Sequence, residues 1–466
     1  MTPGAPGVPW WGLEPIAAAD PETVWAQGAG QITYGRLQRE MDAVRARLRA
    51  HGVVAGSPVA VQLPPSLTLL WWLFALWAEG AQVLLLDTRM KPAEVRSVLA
   101  RIRPAHRVTS TTVPDLLVGT TDTVDVSIER IGDSPPGESA VALIQCSSGT
   151  TGQPKIVARS GPSLLADVDR HARNPGMPTQ GERVLLLASL THGFGLAAGV
   201  LHSLRVGATL VLPGRISPDD LLTCAHAADV HAVFGVPVHF DLLSQAAGGT
   251  RPTGLRLAVS CGDVLPSVVR QRFLHRYGVP VGQAYGMTEV GAIATDLTGD
   301  LEPPAVGRVL PGVDVRITDG ELFIRADGDP YLYADLPDRY SDGWLRTFDR
   351  AELAPGSRVL SLLGRADSVC IIGGLKVDLT EVETALNAHP QVTEAMAVCR
   401  AVDSAVPGHP RLIIEAYVAA DSAVTGQELT SWCRGQLSDF KIPRHWRIGT
   451  DLPRTTSGKA NRGVRA

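Results

Sequence analysis

Apolar residues along the chain follow two different periods. One amphipathic stretch begins near Thr33 or Tyr34, stops at Gly52 and keeps four apolar residues on one face: Leu37, Met41, Val44 and Leu48. Short apolar runs of strand length follow: Val59–Leu63, Val83–Leu86, Val184–Leu187, Thr209–Leu212, Val233–Val236 and Leu255–Val259. Helical patterns separate several of these runs, among them Pro218–Ala228 and Pro266–Tyr277. The alternation predicts an α/β fold with mainly parallel sheets.

The pattern changes twice in the second half of the chain. Near residue 300, proline and glycine separate short strands such as Val313–Ile317 and Glu321–Ile324. From Gly364 onwards we expect a hairpin followed by four further elements: Thr380–Ala388, Ala395–Cys399, Leu412–Val418 and Gly426–Leu437. The sequence therefore predicts a large N-terminal domain, residues 1–363, with two α/β layered subdomains and a small β-rich subdomain. A small α+β C-terminal domain is expected over residues 364–466.

Composition narrows the class of protein. The most hydrophobic run, Leu67–Ala78, predicts a buried helix, because a membrane span needs roughly 20 apolar residues. The N-terminus lacks the pattern of a signal peptide. Lys and Arg total 43 against 47 Asp and Glu, a net charge of −4, which gives no reason to expect a nucleic-acid partner. Six cysteines without a C-x-x-C pair predict neither a disulfide framework nor a zinc site, and favour a cytoplasmic location.

The strongest local signal is the segment Ser147–Lys155, which reads S-S-G-T-T-G-Q-P-K and follows a predicted strand, Ala140–Ile144. Backbone N–H groups, glycines and hydroxyls suit a phosphate tail, and Lys155 can add a positive charge. The residue order is not that of a Walker loop. Taken alone, the segment fits a flexible turn as well as it fits a phosphate site.

Three further clusters offer chemistry. One short loop contains Tyr285, Thr288 and Glu289, which supply an aromatic ring, a hydroxyl and a carboxylate suited to Mg²⁺. Asp349, in W-L-R-T-F-D, can accept two ribose hydroxyls, and Lys459 lies in P-R-T-T-S-G-K. The plain structural alternatives are a surface turn, a strand-end aspartate and a solvated basic tail.

In this order, from Ile32-Thr33-Tyr34 to Lys459, the clusters closely resemble those of the adenylate-forming superfamily. That superfamily includes acyl-CoA synthetases, aryl-CoA ligases, peptide-synthetase adenylation domains and firefly luciferase. The motifs are most similar to those of acyl- or aryl-CoA ligases. The resemblance implies ATP, Mg²⁺, a small-molecule acid and a thiol acceptor, either CoA or a phosphopantetheine arm. It also implies that the C-terminal domain is mobile and swings between half-reactions about Asp367.

The resemblance assigns a role to each matching residue. For the β- and γ-phosphates it implies Ser147, Ser148, Gly149, Thr150, Thr151, Gly152 and Lys155. For the rest of the nucleotide and its metal it implies Thr288, Glu289, Tyr285, Gly286, Asp349 and Arg365. Lys459 matches the lysine that bridges the acid oxygen and the α-phosphate, and Gly373 and Gly374 match a loop near the thiol. From the residues alone, that glycine pair predicts only a hairpin turn.

The segment Leu190–Leu196 resembles the H-x-F-G-L segment of acyl- and aryl-CoA ligases, which would place His192 between the acid pocket and the thiol tunnel. A core histidine is the alternative. The aspartate with which peptide synthetases bind an ammonium group is missing, which argues against an α-amino acid. The expected pocket residues are mostly small or apolar and favour an aryl or alkyl acid: Gly193, Phe194, Val236, Gly262, Gly282 and Gly291.

Three departures from the superfamily pattern stand out. Ile156 and Phe348 replace usual glycines, and Ser260–Asp263 is an altered glycine-rich segment. Four functions stay open: an acid–CoA ligase, transfer to a carrier protein's phosphopantetheine, a diazotase that activates nitrite for an aryl amine, and a non-catalytic nucleotide-binding module. The presence of both Lys459 and Glu289 argues against the last of these.

Overall fold

A computed structural model describes residues 13–112, 119–133, 137, 140–147, 155–248, 251–262, 265, 267–332, 338–365, 369–402, 411–420 and 424–453. Two compact units divide the described chain. The first comprises residues up to 88, 102–145 and 156–363, and the second comprises residues 89–101, 364–466 and the described part of 146–155.

The helices, in chain order, are α1 Glu14–Ala18, α2 Tyr34–Ala50, α3 Leu67–Ala78, α4 Pro92–Ile102, α5 Gly161–Ala172, α6 His202–Val206, α7 Pro218–Ala227, α8 Pro237–Gln245, α9 Ser267–Tyr277, α10 Leu379–Asn387 and α11 Gly426–Gln436. A π-helix covers Phe194–Leu201, and a 3₁₀ turn covers Asp439–Lys441.

The strands of the first unit are β1 Val24–Gln27, β2 Gln31–Thr33, β3 Pro58–Gln62, β4 Gln82–Leu85, β5 His106–Thr109, β6 Ser127–Arg130, β7 Val141–Ser147, β8 Lys155–Ser160, β9 Arg183–Leu186, β10 Thr209–Val211, β11 Ala232–Gly235, β12 Leu257–Cys261, β13 Val281–Met287, β14 Gly291–Asp296, β15 Ala305–Val309, β16 Val315–Thr318, β17 Glu321–Arg325, β18 Tyr331–Leu332, β19 Tyr340–Ser341, β20 Trp344–Leu353 and β21 Val359–Arg365. The second unit adds β22 Val369–Ile372, β23 Leu375–Asp378, β24 Val392–Val402, β25 Arg411–Ala420 and β26 His445–Gly449.

Two sheets build the first unit. The smaller has the order β18-β8-β7-β4-β3-β5-β6, and the larger runs β16-β17-β20-β21-β15-β14-β13-β12-β11-β9-β10-β1-β2, with β19 beside β20. From β10 to β13 the larger sheet is parallel, and from β13 to β15 it is antiparallel. The predicted α/β fold with a β-rich part is confirmed, and that β-rich part continues the larger sheet.

The predicted elements agree closely with the observed ones, because most of them bury the apolar face on which the prediction rested. Thr33 caps α2 by accepting a hydrogen bond from the Arg36 N–H at 3.2 Å. Leu37 and Leu48 of that helix are fully buried. The run Leu67–Ala78 is helix α3, whose residues from Leu67 to Trp77 are all buried. In the described part of the chain, no helix is long and apolar enough to cross a membrane.

The second unit packs α10 and α11 against the sheet β24-β25-β26 around its own core. Cys370 of β22 and Cys399 of β24 form a disulfide there, with Cα atoms 5.5 Å apart. The sequence analysis expected no disulfide framework and did not predict this single pair. The two cysteines are separated by 29 residues in sequence, so only the tertiary packing of the hairpin on β24 brings them together.

Candidate active site

The hairpin β13–β14 presents two of the predicted site residues at its tip. Val290 N–H donates to the Met287 carbonyl at 3.3 Å, which closes a turn with Thr288 and Glu289 at its centre. The prediction of one short loop was wrong for residues 283–287, which belong to β13. Their pairing with β14 lies within the sheet and fixes the base of the turn.

Tyr331 links Glu289 to the strand that follows the serine- and threonine-rich segment. Its hydroxyl donates to Oε1 of Glu289 at 2.9 Å. Tyr331 also pairs with Val157 of β8. Burial, together with the neighbouring Glu289 carboxylate, raises the pKa of the Tyr331 phenol well above its usual value, so it acts as a proton donor in the hydrogen bond. Sequence reasoning missed Tyr331, because the pairing of β18 with β8 is non-local.

Tyr285 and Asp349 come together across the larger sheet. The Tyr285 hydroxyl donates to Oδ2 of Asp349. Asp349 is buried in the middle of β20 and is not a strand-end residue. Its N–H donates to the Thr347 hydroxyl at 3.0 Å, and that hydroxyl donates to the Leu322 carbonyl at 2.9 Å. The two residues predicted to face the nucleoside therefore share one polar contact.

Phe348 shows how the chain keeps a backbone shape that glycine usually supplies. Its φ is +63°, in the left-handed region that favours glycine. The guanidinium carbons of Arg339 and Arg346 lie 4.4 and 4.3 Å from the centre of its ring. Arg346 is itself held by Glu321 through contacts of 2.5 and 2.9 Å. Cation–π contacts thus stabilise the phenylalanine beside Asp349.

His192 lies two residues before the π-helix, an element that was not predicted. Its Nε2 lies 3.7 Å from Oδ2 of Asp87, and its side chain is 53% exposed. Oδ2 of Asp87 can therefore bias the direction of the imidazole. The preceding residue, Thr191, is held by Gln145, whose Nε2 donates to the Thr191 carbonyl at 2.5 Å. A π-helical turn is rare and often accompanies a functional site.

The predicted pocket residues fall into two groups, according to whether there is open space or a close backbone atom beside them. A side chain built at Gly193 meets nothing within 4 Å, and the Phe194 ring packs 5.6 Å from that of Phe234. At Gly282, by contrast, a Cβ would lie 2.1 Å from the Asp296 carbonyl oxygen. At Gly286 it would lie 2.6 Å from the Gly291 carbonyl oxygen. Close backbone approach is thus a structural reason for glycine at both positions.

His239 contacts the backbone of Val236, one of the predicted pocket residues. Its Nδ1 accepts a hydrogen bond from the Val236 N–H at 3.1 Å, which leaves the proton of the neutral ring on Nε2. Burial lowers the pKa of His239 to about 4, so the ring is neutral at pH 7. Val236 itself caps α8 at the carboxyl end of β11. Parallel sheets place ligands at this edge.

Several predicted residues lie at or beyond the limits of the described chain. Ser148, Gly149, Thr150, Thr151 and Gly152 lie outside the described residues, as do Asp367 and Lys459. Ser147 ends β7, Arg365 ends β21 and Lys155 begins β8 as a buried residue. Ile156 is a buried strand residue paired with Leu332. Gly262 has φ +92°, and Gly373 and Gly374 have φ +57° and +79° in the turn between β22 and β23, as a hairpin turn requires.

Comparison with known proteins gives a family for this architecture. Residues 14–330 match the sequence model of the AMP-binding enzyme family, and residues 381–459 match that of the AMP-binding enzyme C-terminal domain. The p-hydroxybenzoic acid–AMP ligase FadD22 of Mycobacterium tuberculosis is 27% identical over 94% of this chain. The chain spans 65% of that protein's length.

Two full-length similarities accompany that match. The feruloyl-CoA synthase of an Amycolatopsis species is 27% identical, with 98% of each chain covered. The solved structure of a double mutant of o-succinylbenzoate CoA synthetase from Bacillus subtilis superposes with a TM-score of 0.82. That likeness extends over 97% of each chain at 24% identity, and it supports the fold.

Proposed function

The chain belongs to the AMP-binding enzyme family, and from that premise we propose that it uses ATP to convert a small carboxylic acid into its adenylate. The acid oxygen attacks the α-phosphate, and pyrophosphate leaves. Acyl transfer to a thiol, most simply that of CoA, then releases AMP. Adenylation makes a poor electrophile reactive, because AMP is a good leaving group.

One observation carries the proposal. Tyr331 joins β8, the strand after the serine- and threonine-rich segment, to Glu289 at the tip of the β13–β14 hairpin. The same hairpin carries Tyr285, whose hydroxyl contacts Asp349. Strand β8, the carboxylate proposed to bind the metal and the carboxylate proposed to bind the ribose thereby belong to one scaffold in the first unit. That grouping suits a nucleoside triphosphate.

The residues present fit the implied magnesium. Glu289 offers carboxylate oxygens, which hard cations prefer, and Tyr331 occupies only one of their several lone pairs. Magnesium in such sites is bound by one or two carboxylates plus substrate phosphates. Glu289 would hold the ion, which supplies positive charge beside the phosphate oxygens when bound.

The remaining roles concern positioning. We propose that Thr288 contacts the α-phosphate, that Tyr285 and Gly286 flank the adenine and that Asp349 and Arg365 bind the ribose. Lys459 would neutralise the charge that develops during in-line attack. Ser147–Lys155 would bind the β- and γ-phosphates. Asp367 would act as a hinge between half-reactions, and Gly373 and Gly374 would approach the thiol.

The acid is proposed to lie near His192, Phe194, Val236 and Gly262. The open space at Gly193 and the apolar contact of Phe194 with Phe234 favour an uncharged aryl or alkyl tail. A carrier-protein phosphopantetheine arm is the alternative thiol. We place the reaction in the cytoplasm, where ATP and CoA are available.

A product screen tests the proposal. Purified protein is given ATP, Mg²⁺ and one acid from an aryl and alkyl panel, with or without CoA, and AMP and pyrophosphate are measured. Acid-dependent release of both, with a thioester mass only when CoA is present, is the expected result. An arm with nitrite and an aminoaryl acid detects diazonium chemistry. Release of neither nucleotide product with any substrate would refute adenylation.

A further inference from the structure

A cluster of charged side chains, two of them almost fully buried, contacts the backbone next to the Glu289 turn. It is formed by Arg159 of β8 and by Asp167 and Arg170 of α5. Arg159 Nη1 lies 3.0 Å from Oδ2 of Asp167, and the two side chains are only 3% and 1% exposed. Arg170 Nη2 lies 3.3 Å from Oδ1 of Asp167. Buried charges are costly unless they are paired and hydrogen-bonded, so their other contacts show what they hold.

Arg159 Nη2 donates to the Ser163 carbonyl at 2.9 Å, and other contacts of the cluster go to the backbone that follows Glu289. The Val290 carbonyl accepts from Arg170 Nη2 at 2.8 Å and from Arg159 Nη2 at 3.4 Å. Two residues further on, the Ala292 N–H donates to Oδ1 of Asp167 at 3.0 Å. The cluster thus grips a carbonyl and an amide on opposite sides of Gly291.

Gly291 makes this grip possible. Its φ is +83°, and a Cβ at this position would lie 1.9 Å from Oδ2 of Asp167. Any larger residue would displace a carboxylate that is fixed by Arg159. This contact gives Gly291, one of the residues expected in the acid pocket, a structural reason to be glycine.

We propose that Asp167, Arg159 and Arg170 are positioning residues that hold the Glu289 turn in the geometry that binds magnesium–ATP. The proposal rests on the proposed function, since it acts through Glu289. Val290 both accepts from the two arginines and closes the turn on Met287. Its backbone position therefore sets the direction of the neighbouring Glu289 carboxylate. A carboxylate displaced by about 1 Å would bind the ion less tightly.

Arg170→Met is the sharpest variant. It removes the 2.8 Å hydrogen bond to Val290 and the 3.3 Å contact with Asp167, and keeps the Arg159–Asp167 pair. Arg256→Met is its matched control, because Arg256 also bridges a carboxylate and backbone carbonyls. It lies 2.6 Å from Glu182 and 2.8 Å from the Gly176 carbonyl, and none of its hydrogen bonds reaches the 287–292 turn.

Two readouts are taken on the full chain: amide hydrogen exchange over residues 287–293, and the Mg²⁺ concentration that gives half-maximal ATP binding. We expect Arg170→Met to raise both the exchange rate and that Mg²⁺ concentration by about tenfold, the order expected for losing one hydrogen bond from a charged donor. Arg256→Met should change neither, even where it lowers the melting temperature. Arg170→Lys, which keeps one donor, should restore part of the Mg²⁺ affinity.

Unchanged exchange in Arg170→Met, or faster exchange with unchanged magnesium dependence, would overturn the positioning role. An equal rise in the Mg²⁺ requirement of Arg256→Met would also overturn it, because general destabilisation would then explain the effect. Wild-type protein that binds no magnesium–ATP would overturn the proposed function and the positioning role together. That outcome differs from a failure of the positioning role alone, because in the latter case the wild type still binds magnesium–ATP.

Discussion

Replacing Tyr331 with phenylalanine removes a hydroxyl that contacts the carboxylate of the candidate metal site. The ring packs among Val157 and Leu345, and the residue is 6% exposed, so phenylalanine fills the same space. The change removes only the hydroxyl, which donates to Glu289 at 2.9 Å and also has a hydrogen bond with Arg339. A hydrogen bond to a charged acceptor contributes about 1.5–3 kcal/mol, and each 1.4 kcal/mol is about tenfold in an equilibrium constant.

Groups that orient a metal ligand typically contribute about 10–100-fold to metal affinity, which matches this range. We therefore expect Tyr331→Phe to raise the Mg²⁺ concentration for half-maximal pyrophosphate exchange by about 10–100-fold, with a smaller effect on the rate at saturating Mg²⁺.

The matched control is Tyr277→Phe. The buried Tyr277 hydroxyl donates to the Leu243 carbonyl at 2.7 Å in a different core. Tyr277→Phe should lower the free energy of unfolding by about 1 kcal/mol, and Tyr331→Phe should lower it by about 1.5–3 kcal/mol. Only Tyr331→Phe should change the Mg²⁺ requirement. If both variants keep the wild-type magnesium dependence, the Tyr331 hydroxyl does not orient a metal ligand, and the reasoning fails.

Three further predictions concern stability and covalent structure. Phe348→Gly relieves left-handed backbone strain of about 1–2 kcal/mol, but it loses two guanidinium–ring contacts and raises the entropy of the unfolded chain. Urea unfolding should therefore show that the free energy of unfolding falls by about 1 kcal/mol, and a rise would contradict this. Burial lowers the pKa of His202 and His239 to about 4, so the unfolded chain binds more protons between pH 6.5 and 4. Stability should therefore fall in that window, by up to about 3 kcal/mol per histidine, and flat thermal melts from pH 7 to 4.5 would contradict it. A peptide map without reductant should link Cys370 to Cys399, whereas six titratable thiols would contradict the disulfide.

Local patterns in the sequence were sufficient for most of the fold. The apolar spacing of α2 and α3 sets which faces are buried, and Thr33 supplies the expected cap. The lengths of the apolar runs and the positions of prolines likewise predicted the strands in the parallel part of the larger sheet. The antiparallel continuation was harder to predict, because β13 and β14 present a mixture of small and polar residues around their turn. Such strands lack a clear period of two.

Non-local contacts account for what the sequence did not reveal at the site. Tyr331 lies 42 residues from Glu289, and no local motif marks it. Asp167 reaches Ala292 across 125 residues, and only the fold shows that Gly291 makes room for it. Phe348 replaces a usual glycine, yet stacked arginines from two segments stabilise the left-handed backbone that glycine would adopt there. Each of these features depends on tertiary packing, which residue spacing does not encode.

Acid-dependent exchange of labelled pyrophosphate into ATP measures the central claim most directly, because it reports adenylation without any acceptor. It is run with the wild type, with Lys459→Ala and with Lys376→Ala, which removes an exposed lysine of β23. The account predicts exchange in the wild type and in Lys376→Ala, and a loss of roughly 10²–10³ or more in Lys459→Ala. Wild-type exchange in Lys459→Ala, or no exchange with any acid in the wild type, would contradict it.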